Sequence, residues 1–581
     1  MTTGPAATDG PPPAGLWGTA DSAGPPPAVA EAWRSAGWWR TGTFLDDLYR
    51  TAAADGTRTA LIADRAHHPA DLRLRRLSYA QLATYVDRYA AALRSLGLRA
   101  GDPVAYQLPS WWEAAALTLA VWRIGAVAVP VLPVVRAGGL ERILAATQAR
   151  LCVVPDVWEG HAHAEVLDGL APRLPWLRRR AVLRTTPGGP GRASGHAPAP
   201  GTLDFDAYFT RTPHERGPHA CPPGLPGARP GDPALLITVM ALGERFRAVL
   251  HSPDTLYAPL AAARTLPGPV PRPGEVFFSA LPFTSLASLA HSLCWPLALG
   301  GTAVLQDVWD PNRYLDLLAE AGVNQAYASP AQWAEVLTAH GTRATPEPAA
   351  PPALRLLLSG GRTPTPPELL AALPEALGAP VRSLWGAPEV ALGTLGGVGD
   401  PTEGAPLPGL ELDSRDGGEL WVRGPAVAHA VWPFGADRAV LPWQQDGGWL
   451  ATGDRGDAAR ARVTGRAGHR TGAAFLVPVA ELEEALAAHP GVREAAVVEY
   501  GDPEHGELPC AVVVPAVEAE SPGLVELREW LAGAGLAPAA LPTRLELVGS
   551  LPRAEDGTLR KDALRAWLSG LRPGEPRTAP K

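Results

Sequence analysis

Apolar residues recur at helical spacing early in the chain. Leu82, Val86, Tyr89, Leu93 and Leu96 fall three or four positions apart, which places them on one helix face. Ser78 with Gln81 three residues on forms a capping-box start, and Gly97 is a stop. Two short apolar runs, Val104 to Leu108 and Val127 to Val131, have strand length. Between them lies a helix that Ser110 can cap and that runs to about Ile124. Alternation of this kind predicts parallel α/β layers. Further strands are predicted at Ala234 to Thr238, Leu354 to Leu358 and Val381 to Leu384, with loop, helix and strand over Leu281 to Leu305. Beyond Asp454 the elements become short. Helices are predicted at Val479 to Ala488 and Leu524 to Leu531, and strands at Val492 to Val498, Cys510 to Val514 and Arg544 to Leu547. The pattern predicts a large α/β domain followed by a small α+β domain.

Composition sets the expected boundaries. Residues 1–35 are rich in Pro, Gly and Ala and read as disordered. Residues 186–232 have loop composition and read as a Pro/Gly-rich surface insertion in a large domain over 36–454. The small domain is expected over 455–570, with a disordered tail over 571–581. A chain of 581 residues can support more than one core. Its net charge of −8 gives no electrostatic footprint for nucleic acid. Cys152, Cys221, Cys294 and Cys510 are far apart, which argues against a disulfide framework or a cysteine metal site. The most apolar stretch, Ala114 to Val135, contains Arg123, Pro130 and Pro133, so it reads as buried helix and strand, with no membrane span. No basic region leads into an apolar core at the N-terminus, so a cytoplasmic location is expected. No Gly-x-Gly-x-x-Gly follows a predicted strand, which counts against a dinucleotide oxidoreductase.

The segment with most chemistry is Gly447-Gly448-Trp449-Leu450-Ala451-Thr452-Gly453-Asp454, followed by Gly465-Arg466. It reads as a tight turn, a short strand and a loop presenting one carboxylate at the strand end. Asp454 there can accept from two adjacent hydroxyls, as on a ribose, and Arg466 can reach the same ligand as a planar donor fork. A solvated turn aspartate is the alternative. The order DGGWLATGD, VTGRAGHR and ELEEALAAHPGVREAAVVEYGDPEHGE resembles the carboxy-terminal part of the adenylate-forming family, which includes acyl-CoA synthetases, luciferases and the adenylation domains of peptide synthetases. The resemblance extends over most of residues 40–568 and is nearest in look to bacterial ligases of the cyclohexanecarboxylate-CoA type. It implies a large α/β domain with a small mobile α+β domain. The implied activity joins a small carboxylic acid to ATP, giving an acyl adenylate, and then passes the acyl group to CoA or the pantetheine of a carrier protein. The implied cofactors are ATP/AMP, Mg²⁺ and CoA or carrier pantetheine, and a carrier protein or partner enzyme is an implied partner.

Carried over residue by residue, the resemblance assigns Gly360 and Gly361 to the strand end beneath adenine, where glycines let the backbone approach a flat base. The same residues also suit an ordinary βα turn. Ser383-Leu384-Trp385-Gly386-Ala387-Pro388-Glu389 matches the family's aromatic-Gly-x-Thr-Glu motif, with Trp385 stacking on adenine and Glu389 holding Mg²⁺. For Glu389 the alternative is a carboxylate at a helix N-terminus. Pro388 stands where the family has a phosphate-binding Thr and offers neither hydroxyl nor N–H. Asp454 and Arg466 match the ribose carboxylate and the Arg that follows it.

Three departures cluster on the reaction itself. The phosphate loop reads Thr238-Val239-Met240-Ala241-Leu242-Gly243-Glu244-Arg245-Phe246-Arg247, keeping only Thr238 and Gly243 of the family's donors, with Arg247 as a possible phosphate contact. A structural strand–turn–helix is the expected role of that segment. Thr558 occupies the position of the family's catalytic lysine, and Lys561, one of the chain's two lysines with Lys581, is a displaced substitute. His469 replaces the hinge Asp, and Phe475 stands where a glycine borders the thiol channel. Pro282-Phe283-Thr284-Ser285 replaces the family's Pro-x-x-His before an acyl pocket over Thr284 to Trp295 plus Trp333, which reads equally as core. Erosion of three parts of one reaction points to weak or lost adenylation. Alternatives are a pseudoenzyme, or a repurposed acyl-transfer or binding protein that takes AMP, an acyl adenylate or an acyl thioester.

Overall fold

A computed structural model describes residues 24–570 apart from 187–200, 223–226, 228, 241–245, 343–352, 362–364, 397–403, 416–417, 434–438, 461, 467–478, 503–505, 517–520, 535, 537–540 and 554–558. Two large sheets dominate. The nine-stranded sheet runs Gly404–Pro406, Val390–Gly396, Val381–Ala387, Leu356–Gly361, Gln325–Ala328, Val276–Ser279, Thr302–Gln306, Thr59–Asp64 and Leu74–Ser78 in space. Its middle strands are mutually parallel and its outer ones antiparallel. The eight-stranded sheet runs Ala430–Pro433, Phe246–His251, Leu235–Met240, Val127–Pro130, Pro103–Tyr106, Leu151–Pro155, Arg179–Leu183 and Thr202–Asp204. The helical face predicted over 78–97 forms Tyr79–Ser95, with the Ser78/Gln81 capping box, and buries Leu82, Val86, Tyr89 and Leu93. That helix and the neighbouring Trp112–Arg123, buried along its whole length, lie in the core between the sheets. A buried ion pair stitches this layer: Arg65 Nη1 lies 3.1 Å from both oxygens of Glu113.

The small C-terminal unit has its own cores around Val492–Asp502, Gly506–Pro515 and Arg544–Leu547, covered by helices Val479–Ala487, Leu524–Gly533 and Lys561–Gly570. The chain is thus a mixed α/β protein with a large N-terminal and a smaller C-terminal domain. Among the described residues no helix is long and apolar enough to cross a membrane.

Four sequence-based expectations require correction. Disorder was expected through residue 35, but Pro27–Ser35 is a helix. Pro27 at its start is pre-set for the first turn, and Trp33 packs edge-on against Trp39 and Trp443 at 4.8 and 5.7 Å. The insertion expected over 186–232 is not wholly superficial: Thr202–Asp204 adds an edge strand, and Phe205 and Phe209, stacked at 4.8 Å, are fully buried. Those two rings outweigh the loop composition around them. Ser110 does not cap the following helix; its Oγ accepts from the Phe283 N–H at 3.1 Å, and Trp111 holds the cap position. Where a strand–turn–helix was expected at 238–247, the described residues form two strands, Leu235–Met240 pairing antiparallel with Phe246–His251. Val249 packs into one core cluster and Ala248 and Leu250 into another, so the second strand is apolar on both faces, as a strand inside a sheet is.

Candidate functional site

The site is built on the strand Val381–Ala387. One neighbour, Leu356–Gly361, sets Gly360 opposite Leu384 and Gly361 opposite Trp385. At Gly360 a Cβ would lie 2.1 Å from the Leu384 carbonyl oxygen, so only glycine allows this spacing. Gly386 is constrained likewise, its Cβ falling 2.5 Å from the Ala391 carbonyl oxygen. On the other side, Val390–Gly396 brings Gly393 under the indole of Trp385, where a Cβ would be 2.4 Å from the ring.

Trp385 is 5% exposed, and its Nε1 donates to Asp454 Oδ2 at 2.8 Å. Asp454 lies inside the strand Leu450–Asp457, in register with Arg466 on Arg462–Arg466, rather than at a strand end as expected. Its main-chain N–H donates to Thr452 Oγ1 at 3.1 Å, and that hydroxyl donates to the Leu420 carbonyl at 2.8 Å. Gly453 takes the left-handed φ of +75° that this turn needs. The carboxylate is therefore buried and oriented by Trp385, while Thr452 holds the Asp454 main chain.

Glu389 follows in the turn between the two strands and is fully buried. Its carbonyl accepts from the Ala428 N–H at 2.9 Å. A residue that sequence reasoning missed holds the same turn. His251 ends the strand Phe246–His251, and its Nε2 lies 2.7 Å from the Pro388 carbonyl, to which it donates. Its Nδ1 lies 3.1 Å from Thr255 Oγ1. Burial pushes His251 down to about 4, so the ring is neutral at physiological pH. His251 thus ties the strand Phe246–His251 to the Glu389 turn. Its sequence signal was confined to its place just before the capping Ser252.

The expected residues do not all converge. Gly360, Gly361, Trp385, Gly386 and Asp454 do. Thr238 and Arg247 are located through the hairpin ladder, opposite Ala248 and Val239. Lys561 opens the helix Lys561–Gly570, with its Nζ 2.7 Å from Glu483 Oε1, an oxygen that also accepts from the Val497 N–H at 2.6 Å. Its partner thus belongs to the small domain. Thr558 and His469 lie outside the described residues. Among the described residues no group of three or more His, Cys, Asp or Glu could hold a metal. Mg²⁺ bound beside phosphates needs one or two carboxylates, and Glu389 offers one.

Next to Trp385, Leu384 lines a small, largely apolar pocket that is partly open to solvent. Pro259, Ala290, Leu358 and Leu392 form its apolar walls, with His291, Trp295 and Tyr327 as its aromatic ones. Of the segment Thr284 to Trp295, which read as either pocket or core, Ala287, Ala290, His291 and Trp295 line this pocket, while Leu286, Leu289, Leu293 and Cys294 are core; Trp333 is not part of the pocket. Trp333 is fully buried in a separate core and donates through Nε1 to the Leu358 carbonyl at 2.9 Å.

Comparison with known proteins accords with this geometry. The model of the AMP-binding enzyme family matches residues 48–236 and 247–432, and that of the AMP-binding enzyme C-terminal domain matches 481–558. The salicyl-AMP ligase / salicyl-S-ArCP synthetase of Mycobacterium tuberculosis is 29% identical over 562 residues, covering 92% of each chain. The medium-chain fatty-acid–CoA ligase of Escherichia coli is 24% identical, also with 92% of each chain covered. Among solved structures, the amide bond synthetase McbA from Marinactinospora thermotolerans superposes with a TM-score of 0.68 at 25% identity, covering 91% of this chain and all of that one.

Proposed function

The chain belongs to the AMP-binding enzyme family, and from that premise we propose that it activates a small carboxylic acid on ATP, slowly, and passes the acyl group to CoA or a carrier-protein thiol. The observation that carries this reading is the division of roles along one strand. Leu384 closes an apolar cavity, and the adjacent Trp385 orients the Asp454 carboxylate. An acid in the cavity and a nucleoside on Asp454 would then meet at the Leu384-Trp385 backbone, which joining the acid to the α-phosphate with loss of pyrophosphate requires.

In this reading Asp454 accepts from the two ribose hydroxyls, Arg466 lies across the ladder from it, and Gly360 and Gly361 let the base approach the strand. The family generally uses ATP/AMP and Mg²⁺, the metal supplying charge neutralisation at the phosphates when bound. Glu389 would hold it, with His251 keeping the turn in place. The relatives, among them a salicyl-AMP ligase and a medium-chain fatty-acid–CoA ligase, support acid activation as the class. We place the division between the domains near Asp454, with His469 as the hinge.

A slow first step is supported by Thr558 at the lysine position, Pro388 at the phosphate threonine, and the apolar Val239 and Met240 in the hairpin. A preorganised cation facing developing charge contributes on the order of hundredfold or more in rate. The ion pair of Lys561 with Glu483 favours a second reading, a protein that binds AMP, an acyl adenylate or an acyl thioester without adenylating.

Calorimetric titration with Mg·ATP, and separately with AMP, separates the two. Micromolar ATP binding that needs Asp454, with acid-dependent pyrophosphate release, is expected. AMP binding without ATP binding would replace the ligase reading with the second. Absence of both would refute nucleotide chemistry at this site.

A further inference from the structure

Buried polar atoms without partners are rare in folded proteins and concentrate where a ligand completes the hydrogen bonding. Here they cluster between Thr284 and Trp295. Among the described residues, Thr284 Oγ1, both ring nitrogens of His291, Ser292 Oγ and Trp295 Nε1 are buried with no hydrogen-bond partner. His291 and Trp295 also line the cavity beside Leu384.

His291 is 2% exposed. Its ring is gripped edge-on or tilted by Phe277, Trp295 and Tyr327, at centroid distances of 5.5, 5.6 and 5.6 Å. Aromatic neighbours fix the imidazole but cannot satisfy two nitrogens. The segment Ala290–Cys294 is wound as a π-helix between Leu286–Leu289 and Trp295–Leu299, a geometry that re-aims side chains and recurs at functional sites. Burial pushes His291 down to about 3, so it presents one N–H donor and one acceptor nitrogen at neutral pH. The indole of Trp295 adds a donor only.

A ligand suited to this wall has a flat apolar body and one group that both donates and accepts. A ring hydroxyl does both. A methylene chain does neither, and an aromatic amine is a poor acceptor. We infer that His291, with Trp295, is the specificity-determining residue of the acid cavity and selects a compact aromatic carboxylic acid bearing a ring hydroxyl. The inference rests on the reading above that a carboxylic acid occupies this cavity, but it does not require adenylation to proceed.

The test is equilibrium binding to the full-length protein by calorimetry, with and without saturating AMP. The probes are benzoate, its three monohydroxy isomers and hexanoate. One hydroxybenzoate isomer is expected to bind about ten- to hundredfold more tightly than benzoate, because a site built for a hydroxyl is left unpaired by the analogue lacking it. His291→Phe keeps the ring and removes both nitrogens, and should abolish that preference while leaving benzoate affinity within about threefold. His291→Gln should retain part of the preference. If His291→Phe does not fold, Trp295→Phe is the second variant and should weaken the same isomer selectively. Equal affinity for benzoate and all its hydroxy isomers would overturn the inference. So would a preference that survives in both Phe variants, tighter binding of hexanoate, or no acid binding at all. Pyrophosphate release is read separately: hydroxyl selectivity without release would refute the ligase reading and support this one.

Discussion

Trp385→Phe tests whether the indole acts on the nucleotide or on the carboxylate. The substitution keeps an aromatic face and removes one N–H, the donor 2.8 Å from Asp454 Oδ2. Asp454 is 1% exposed, so the lost bond is not replaced by bulk water. A hydrogen bond to a charged group contributes about 1.5–3 kcal/mol, which at 1.4 kcal/mol per factor of ten corresponds to roughly ten- to hundredfold. The Thr452 anchor persists in the variant, so the lower end, about tenfold weaker AMP binding, is expected. Asp454→Ala should cost about a hundredfold. The double variant decides the mechanism. If Trp385 works by orienting Asp454, the double variant binds AMP no more weakly than Asp454→Ala alone, because the two changes remove one function. The assay is calorimetry on all four proteins, with near-ultraviolet circular dichroism to confirm folding. Additive losses would refute positioning and assign Trp385 an independent contact such as stacking. Unchanged AMP affinity in Trp385→Phe would refute any role of its N–H.

Three further predictions follow from the same geometry. Lys561→Ala should lower the stability of the small domain by about 1 kcal/mol through loss of the partly buried Glu483 pair, read by thermal melting, and should leave acid-dependent pyrophosphate release unchanged. A large fall in that rate would mean that Lys561 reaches the reacting phosphates. Gly360→Ala forces a methyl against the Leu384 carbonyl at 2.1 Å and should cost about 3 kcal/mol or more, seen as lost soluble yield or a lower melting temperature; an unperturbed melting curve would show that the strands separate freely. Acidification should destabilise the protein between pH 6.5 and about 4: burial holds His161, His251 and His429 at about 4, and His163 and His291 at about 3, against an ordinary 6.5. In that window the unfolded chain binds protons that the folded chain refuses, so stability is full above pH 6.5 and falls as pH drops, by up to about 1.4 kcal/mol per unit for each deeply buried histidine and by less for the half-buried His161. Asp254, raised to about 6 by burial, opposes this with the reverse sign. Melting temperatures at pH 7 and pH 5 check the net direction, and equal values would refute it.

Local signals were legible in the chain. The helix over Tyr79–Ser95 with its cap rests on contacts only a few residues apart in sequence, which periodicity and capping encode directly; the strand Arg544–Leu547 was legible from its composition, although its ladder partner at 510–513 is distant in sequence. The Gly360, Trp385 and Asp454 positions were legible through motif order. Where local reading failed, distant packing had intervened. Phe205 and Phe209 entered a core that their loop-like surroundings concealed, and the phosphate segment became a hairpin because its second arm pairs with Leu235–Met240.

The sequence by itself determined the family and the layered α/β architecture, because each depends on which residues are present and in what order. Only the tertiary structure decided that Trp385 bonds Asp454 across 69 positions, that His251 secures the Glu389 turn 137 positions from Pro388, and that Lys561 is held by Glu483. It also separated His291, a cavity wall, from Trp333, a core residue, although both read as apolar pocket. The physical reason is that a side chain's chemistry belongs to the residue, whereas its burial and its hydrogen-bond partners belong to whatever the fold packs against it.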